Sequence, residues 1–272
     1  MPSFDRKIIS DYVVVDIETT GLSPENDRII EIAAVKVSGD KVIDRFSTLV
    51  DPERHIDSYI TNITGISDRM VKGAPKIYEV MPPFIDFVGD MPILGHNVIR
   101  FDMRFLERAG SPVPYCVDTL DIANHLHIDS EGKSLTALCA YFNVTNDNAH
   151  RALSDCLATH GVYQKMKEHY RREGAYFTMA VSCARKLYQE NIGRLCRVGD
   201  ILTAEPDSKG QLVFTVQGNP VGTASGNKLT ELTENKYLVR EIKISSLKTN
   251  DKGKFLMSAE VILGEGAECY ER

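Results

Sequence analysis

Tyr12–Ile17 (YVVVDI) is short, β-branched and almost wholly apolar, the pattern of a strand buried on both faces. Residues 28–37 and 41–50 read as two further strands joined at Ser38-Gly39-Asp40, a hairpin turn signal. Residues 91–96 predict another short strand. Helical periods follow at about 75–88, 98–109, 118–127, 134–142 and 150–171, and Arg171, Arg172 and Gly174 supply a stop for the last. Strands in a run, then strands interleaved with helices, imply an α/β layer structure on a mixed sheet.

Near residue 172 the pattern changes. Phe177, Met179, Val181 and Cys183 alternate with Thr178, Ala180 and Ser182 at period two. Further strands are expected at 199–204, 211–217, 237–245 and 255–263, with short helices around 185–195 and 226–233. Turn signals at 207–210, Gly218-Asn219-Pro220 and 250–253 separate them. The expected division is residues 1–172 as an α/β domain and 173–272 as a small β-rich, barrel-like domain.

Composition narrows the class. With 272 residues, 43% hydrophobic and 26% charged, the chain is an ordinary globular one of one large or two smaller domains. No apolar run suits a membrane span, and MPSFDRKIISDY has no signal-peptide core. The cysteines at 116, 139, 156, 183, 196 and 269 lack metal-ligand spacing and read as reduced thiols of a cytoplasmic protein. The net charge of −6 superficially disfavours a nucleic-acid partner, but the acidity is local. Residues 1–180 hold 19 Lys+Arg against 26 Asp+Glu, whereas 181–272 hold 13 against 12. Six basic residues and two acidic ones lie between Lys236 and Lys254, by default a solvated sheet face and alternatively a nucleic-acid track.

Where that acidity sits suggests chemistry. Period two places Asp16 and Glu18 on one face at the end of the first strand. Two such carboxylates repel unless a cation lies between them, and hard ions such as Mg²⁺ or Mn²⁺ take oxygen ligands of this kind. Solvated acids at a strand edge are the plain alternative. Gly95-His96-Asn97 closes another strand, Phe101-Asp102 begins a helix, and His150-Arg151-Ala152-Leu153-Ser154-Asp155 begins a later one. Alone, Asp102 is a favourable helix-terminal acid, His150 a capping or surface residue and Asn97 a helix N-cap.

Together, the order D-x-E, D, H-x-x-x-x-D resembles the DEDDh branch of the DnaQ-like 3′→5′ exonuclease superfamily. VVVDIETTGLSPENDRIIEIAAVKV, ITGISDRMVKGAP, GHN…FD and HRALSDCLAT extend the likeness over about residues 10–170, especially to proofreading exonucleases of bacterial replicative DNA polymerases. The step from His96 to Asp102 is one residue longer than in many relatives.

The resemblance implies an RNase H-like mixed sheet flanked by helices and a nuclease working with two divalent cations, Mg²⁺ or Mn²⁺. Asp16 would serve both ions, Glu18 and Asp155 one of them, and Asp102 would hold the site directly or through water. His150 would be the general base, a role its ordinary pKa near 6.5 suits. Thr19, Gly21 and Leu22 would receive the 3′ end, with His96, Asn97 and Phe101 lining the pocket. By pattern alone, Leu22 and Phe101 are ordinary core residues.

The implied activity is release of nucleoside 5′-monophosphates from DNA 3′ ends in proofreading or repair. Single-stranded DNA or 3′ ends are the substrate, and a polymerase or repair complex is the expected partner. An exoribonuclease and a non-catalytic nucleic-acid-binding module are the alternatives. Residues 176–233 loosely resemble a HIRAN domain, a small barrel that holds single-stranded 3′ ends, but depart from it at Glu205–Gly210. His125 and His127 read as a solvated pair, and Gly218–Gly226 as turn structure without phosphate-loop spacing.

Overall fold

The computed structural model describes residues 7–224 and 227–264; Cys269 and residues 1–6 and 225–226 lie outside the described residues. The chain forms two compact units. One comprises Ile9–Asn124 and Ile128–Glu168. The other holds, of the described residues, 7–8, His125–His127 and 169–264.

The first unit is a mixed five-stranded sheet flanked by helices, in the order β3-β2-β1-β4-β5. β1 (Tyr12–Thr19), β2 (Ile29–Ser38) and β3 (Lys41–Leu49) are antiparallel, whereas β4 (Ile93–Gly95) and β5 (Cys116–Asp118) run parallel to β1. Gly39 and Asp40 both take positive φ, 54° and 65°, in the tight β2–β3 turn. β3 is paired on one side only and has no fully buried residue, as befits an edge strand.

Val13, Val15 and Ile17 of β1 share a core with Ile32 and Ala34 of β2, and with residues of α3 (Ile77–Val88) and α4 (Asp102–Arg108). Alternation therefore turns Val14, Asp16 and Glu18 to the opposite face. There α7 (Ala152–Glu173) packs, its Cys156 thiol 3.5 Å from the Ala33 carbonyl. α7 ends as the sequence predicts, with Gly174 at φ 80°.

Three short elements escape the sequence patterns. α1 (Ser58–Thr64, SYITNIT) is rich in β-branched residues, yet Asp57 caps it by accepting from Tyr59 N at 2.7 Å and Gly65 closes it. α2 (Asp68–Val71) and β5 are too short to show a period. The predicted helix over 118–127 resolves into β5, a single turn α5 (Thr119–Ala123), and irregular chain. α6 (Leu135–Phe142) follows the pattern.

The second unit has two antiparallel three-stranded sheets. One orders β10 (Val239–Thr249), β11 (Phe255–Leu263) and β6 (Ala175–Val181); the other orders β7 (Thr203–Pro206), β8 (Leu212–Val216) and β9 (Asn219–Thr223). Helices α8 (Lys186–Leu195) and α9 (Asn227–Glu234) complete it. Single bridges, Ser182↔Thr223 and Ile201↔Lys243, join the sheets, but no closed barrel forms among the described residues. Pairing there is too brief to make a continuous ladder.

Two local corrections follow from hydrogen bonding. Residues 199–202 bond to β10 as a bridge, so the strand proper begins only at Thr203. The segment from Asn219 to Thr223 is a strand, with the turn at Gln217-Gly218 (φ 51° and 74°). Pro220 disguises it, yet proline is tolerated at the edge of a sheet.

Candidate active site

Because β1 and β4 are parallel neighbours, their C-terminal ends open on the same side of the sheet. β1 delivers Asp16 and Glu18 there, α4 delivers Asp102 in its first turn, and α7 delivers Asp155. Asp102 is buried and accepts from Ile17 N at 3.1 Å, tying the helix to the strand between the two β1 acids. Asp155 is also buried, accepting from Asn146 Nδ2 at 2.6 Å and His150 N at 2.9 Å. Ligand atoms of Glu18, His150 and Asp155 lie within 4.8 Å of one another.

Charge is concentrated here against its own repulsion. Burial pushes the Asp16 carboxyl well above its ordinary range, and Asp102, Asp155 and Glu18 push it further. Glu18 is raised to about 8 by burial, then by Asp155, Glu31 and Asp102. Asp102 is raised to about 7 by burial despite its bond from Ile17 N. Burial also raises Asp155, outweighing the bonds it accepts. A clustered set of oxygen donors that cannot ionise together without help fits hard divalent cations.

The strand-end loops shape the surroundings. Thr19 is buried, and its hydroxyl donates to Gly21 O at 2.5 Å. Asp27 accepts from Ser23 N and the Thr20 hydroxyl, and a Cβ on Gly21 would meet its carboxylate at 2.5 Å. The closed turn leaves Leu22 84% exposed, so it is no core residue. After β4, Asn97 is not an N-cap: it takes φ 61° and donates its N–H to Asp118 at 2.8 Å. The chain before Asp102 forms a turn in which the Arg100 and Phe101 N–H groups both meet Asn97 O. Phe101 is half-buried, 5.2 Å from the Phe105 ring. His96 Nδ1 lies 2.9 Å from the Thr119 hydroxyl, and burial lowers its pKa.

The five residues of the predicted constellation thus converge, while Thr19 ends β1, Gly21 and Leu22 lie on the loop after it, and His96, Asn97 and Phe101 lie on the segment after β4. His127 instead stacks on Tyr176 in the second unit, with ring centroids 3.8 Å apart. Asp27, Glu31, Asp118 and Asn146 also hold the site through hydrogen bonds, and no motif in the sequence marks them. Glu31 carried a usable signal: it is an acid inside an otherwise apolar strand run, and a buried charge requires a partner.

Comparison with known proteins agrees with this architecture. The PolC-type DNA polymerase III of Caldanaerobacter subterraneus subsp. tengcongensis is 41% identical over 175 residues, covering 62% of this chain and 12% of that protein. Its Bacillus subtilis counterpart is 37% identical over 176 residues, covering 61% and 12%. The chain therefore spans only about an eighth of the length of these relatives. Among solved structures, Escherichia coli exonuclease I bound to single-stranded DNA superposes with TM-score 0.55 at 22% identity, covering 61% of this chain and 42% of that one. This shows the fold. Exonuclease X in complex with 5′ overhanging duplex DNA gives TM-score 0.50 at 29% identity, covering 58% and 92%. The RNase_T family model, described as an exonuclease, matches residues 13–163, and the chain belongs to that family through a DnaQ-like exonuclease domain.

Proposed function

We propose that this chain is a metal-dependent 3′→5′ exonuclease that hydrolyses phosphodiester bonds at DNA 3′ ends and releases nucleoside 5′-monophosphates, in proofreading or repair. The supporting observation is the convergence of Asp16, Glu18, Asp102 and Asp155 with His150 at one end of β1. Divalent cations, Mg²⁺ or Mn²⁺, held by the four carboxylates would polarise the scissile phosphate and neutralise charge on the leaving 3′-oxygen. His150 is the general base that takes the proton of the attacking water. Its backbone N–H, bonded to Asp155, ties the base to the acid cluster. Thr19 and the Gly21 turn receive the terminal 3′-OH, and exposed Leu22 wedges against the last base. His96, Asn97 and Phe101 line the nucleotide pocket, with Phe101 offering a stacking surface.

DNA is favoured by the named substrates of the similar solved enzymes and by the likeness to DNA polymerases; a polymerase or repair complex is the corresponding partner. The test supplies Mn²⁺ or Mg²⁺ and compares 5′-labelled single-stranded DNA, duplex, mismatched duplex and RNA. Cleavage should shorten DNA from its 3′ end, stop with EDTA and fall at least about a hundredfold in His150→Ala. An unchanged rate and pH profile in that variant would remove His150 from its role. RNA cleaved in preference to DNA would overturn the substrate assignment.

The second unit is proposed to hold single strands, in keeping with its loose HIRAN likeness. Exposed Lys248 and Lys252 lie at the end of β10 and in the following turn. Lys248→Glu with Lys252→Glu should weaken single-strand affinity several-fold at low salt and flatten its salt dependence. Unchanged affinity at matched salt would count against this role.

A further inference from the structure

His150 adopts φ 64°, a left-handed conformation costly for a non-glycine residue, immediately before α7. Such a conformation persists only when its surroundings over-determine it. Two attachments flank it. On one side, His150 N donates to Asp155 at 2.9 Å. On the other, the next two residues are fastened to β2 through one carboxylate, Glu31. Arg151 Nε and Nη2 meet the two Glu31 oxygens at 3.1 and 2.8 Å, and Ala152 N donates to the same group at 3.0 Å.

Glu31 is only 2% exposed and stands directly opposite Glu18 in the β1–β2 ladder. A further buried carboxylate beside four repelling acids is unfavourable in itself. Its bonds are committed to Arg151 and the α7 N-terminus, which are the groups that compensate it. We propose that Glu31 is a positioning residue for His150: through Arg151 and Ala152 it fixes the start of α7 against β2 and so aims the general base. This rests on the reading of His150 as that base. The ladder that carries Glu18 thus also carries the clamp for His150 ahead of α7, so acid and base share one rigid reference.

The test uses the full chain with Mn²⁺ and 5′-labelled single-stranded DNA, comparing Glu31→Gln, Arg151→Met, His150→Ala and the two double variants containing His150→Ala. Thermal melting checks folding; should Glu31→Gln fail to fold, Arg151→Met reaches the same clamp from its half-exposed side. Glu31→Gln and Arg151→Met should each lower kcat about tenfold or more, since small misplacement of a reacting group is expensive. KM and the half-saturating Mn²⁺ concentration should stay within about twofold, because substrate and metal groups remain in place. Neither substitution should lower kcat further in the His150→Ala background. Wild-type kcat in His150→Ala removes the reading on which the proposal rests, and the proposal with it. A slow His150→Ala enzyme beside a wild-type-like Glu31→Gln enzyme, or additive losses in the double variants, overturns the role of Glu31 alone. A half-saturating Mn²⁺ concentration raised about tenfold by Glu31→Gln but not by Arg151→Met would make Glu31 a ligand and overturn it equally.

Discussion

The two ends of β1 face the same problem, ionisable groups inside the fold, and treat it oppositely. At the Tyr12 end Tyr12 and Lys167 are both matched by partners. The Tyr12 hydroxyl lies 2.9 Å from His160 Nδ1 and accepts from Gln164 Nε2 at 2.8 Å. Lys167, 2% exposed, pairs with Asp40, donates to Ile9 O and sits 4.9 Å above the Tyr163 ring. At the Asp16 end four carboxylates crowd together, and the basic Arg151 is committed to Glu31. The first arrangement stabilises the fold without a ligand. The second strains the fold, and under the proposed role bound cations would relieve it, a pattern common where function opposes folding.

The sharpest way to break this contrast is Asp16→Asn. Activity should fall by at least about a hundredfold, yet the metal-free protein should melt a few degrees higher, because a repelled buried charge is gone. A lower melting temperature in EDTA would mean that the acid end is not strained. Next in size, Lys167→Met at the opposite end should destabilise by about 2 kcal/mol, leaving Asp40 without its buried cation. Denaturant unfolding measures this, and kcat of the folded fraction should be unchanged.

The smallest effect is the pH dependence. Asp16, Glu18, Asp102 and Asp155 all have folded-state pKa values raised above the ordinary carboxylate range, so the folded protein binds more protons than the unfolded chain between about 4 and 8. In EDTA, stability should therefore decline as pH rises through that window. Saturating Mn²⁺ should reduce or reverse the decline. Melting temperatures at pH 5, 6.5 and 8 with and without the ion test the sign, and a rise with pH in EDTA would contradict it.

What the sequence disclosed follows the reach of its signals. β1, the β2–β3 hairpin and α7 are long or sharply punctuated, and their periods are visible within one stretch of chain. The acids stood out because carboxylates at a strand end and in first helical turns are locally anomalous. Glu31 and Arg151 are 120 residues apart, and no local pattern announces such a pair. Asp118 orients Asn97 from a three-residue strand too short for periodicity. β9 was hidden by Pro220, whose local meaning is a turn until its place at a sheet edge is known. Leu22 looked like core because hydropathy cannot report that Thr19, Gly21 and Asp27 close the turn beneath it.

The β1–β2 ladder slips by one residue just past Glu18: Glu18 faces Glu31, but Thr19 faces Ile29. The surplus residue is taken up within a single step, and a bulge of this kind confines its distortion to its own neighbourhood. It therefore works as an expansion joint. The connection between the strands can gain or lose residues, and so suit a differently shaped ligand, without passing a shift back along the ladder. A change of loop length is kept out of the register that holds Asp16 and Glu18 against β2, and the two can vary on separate schedules.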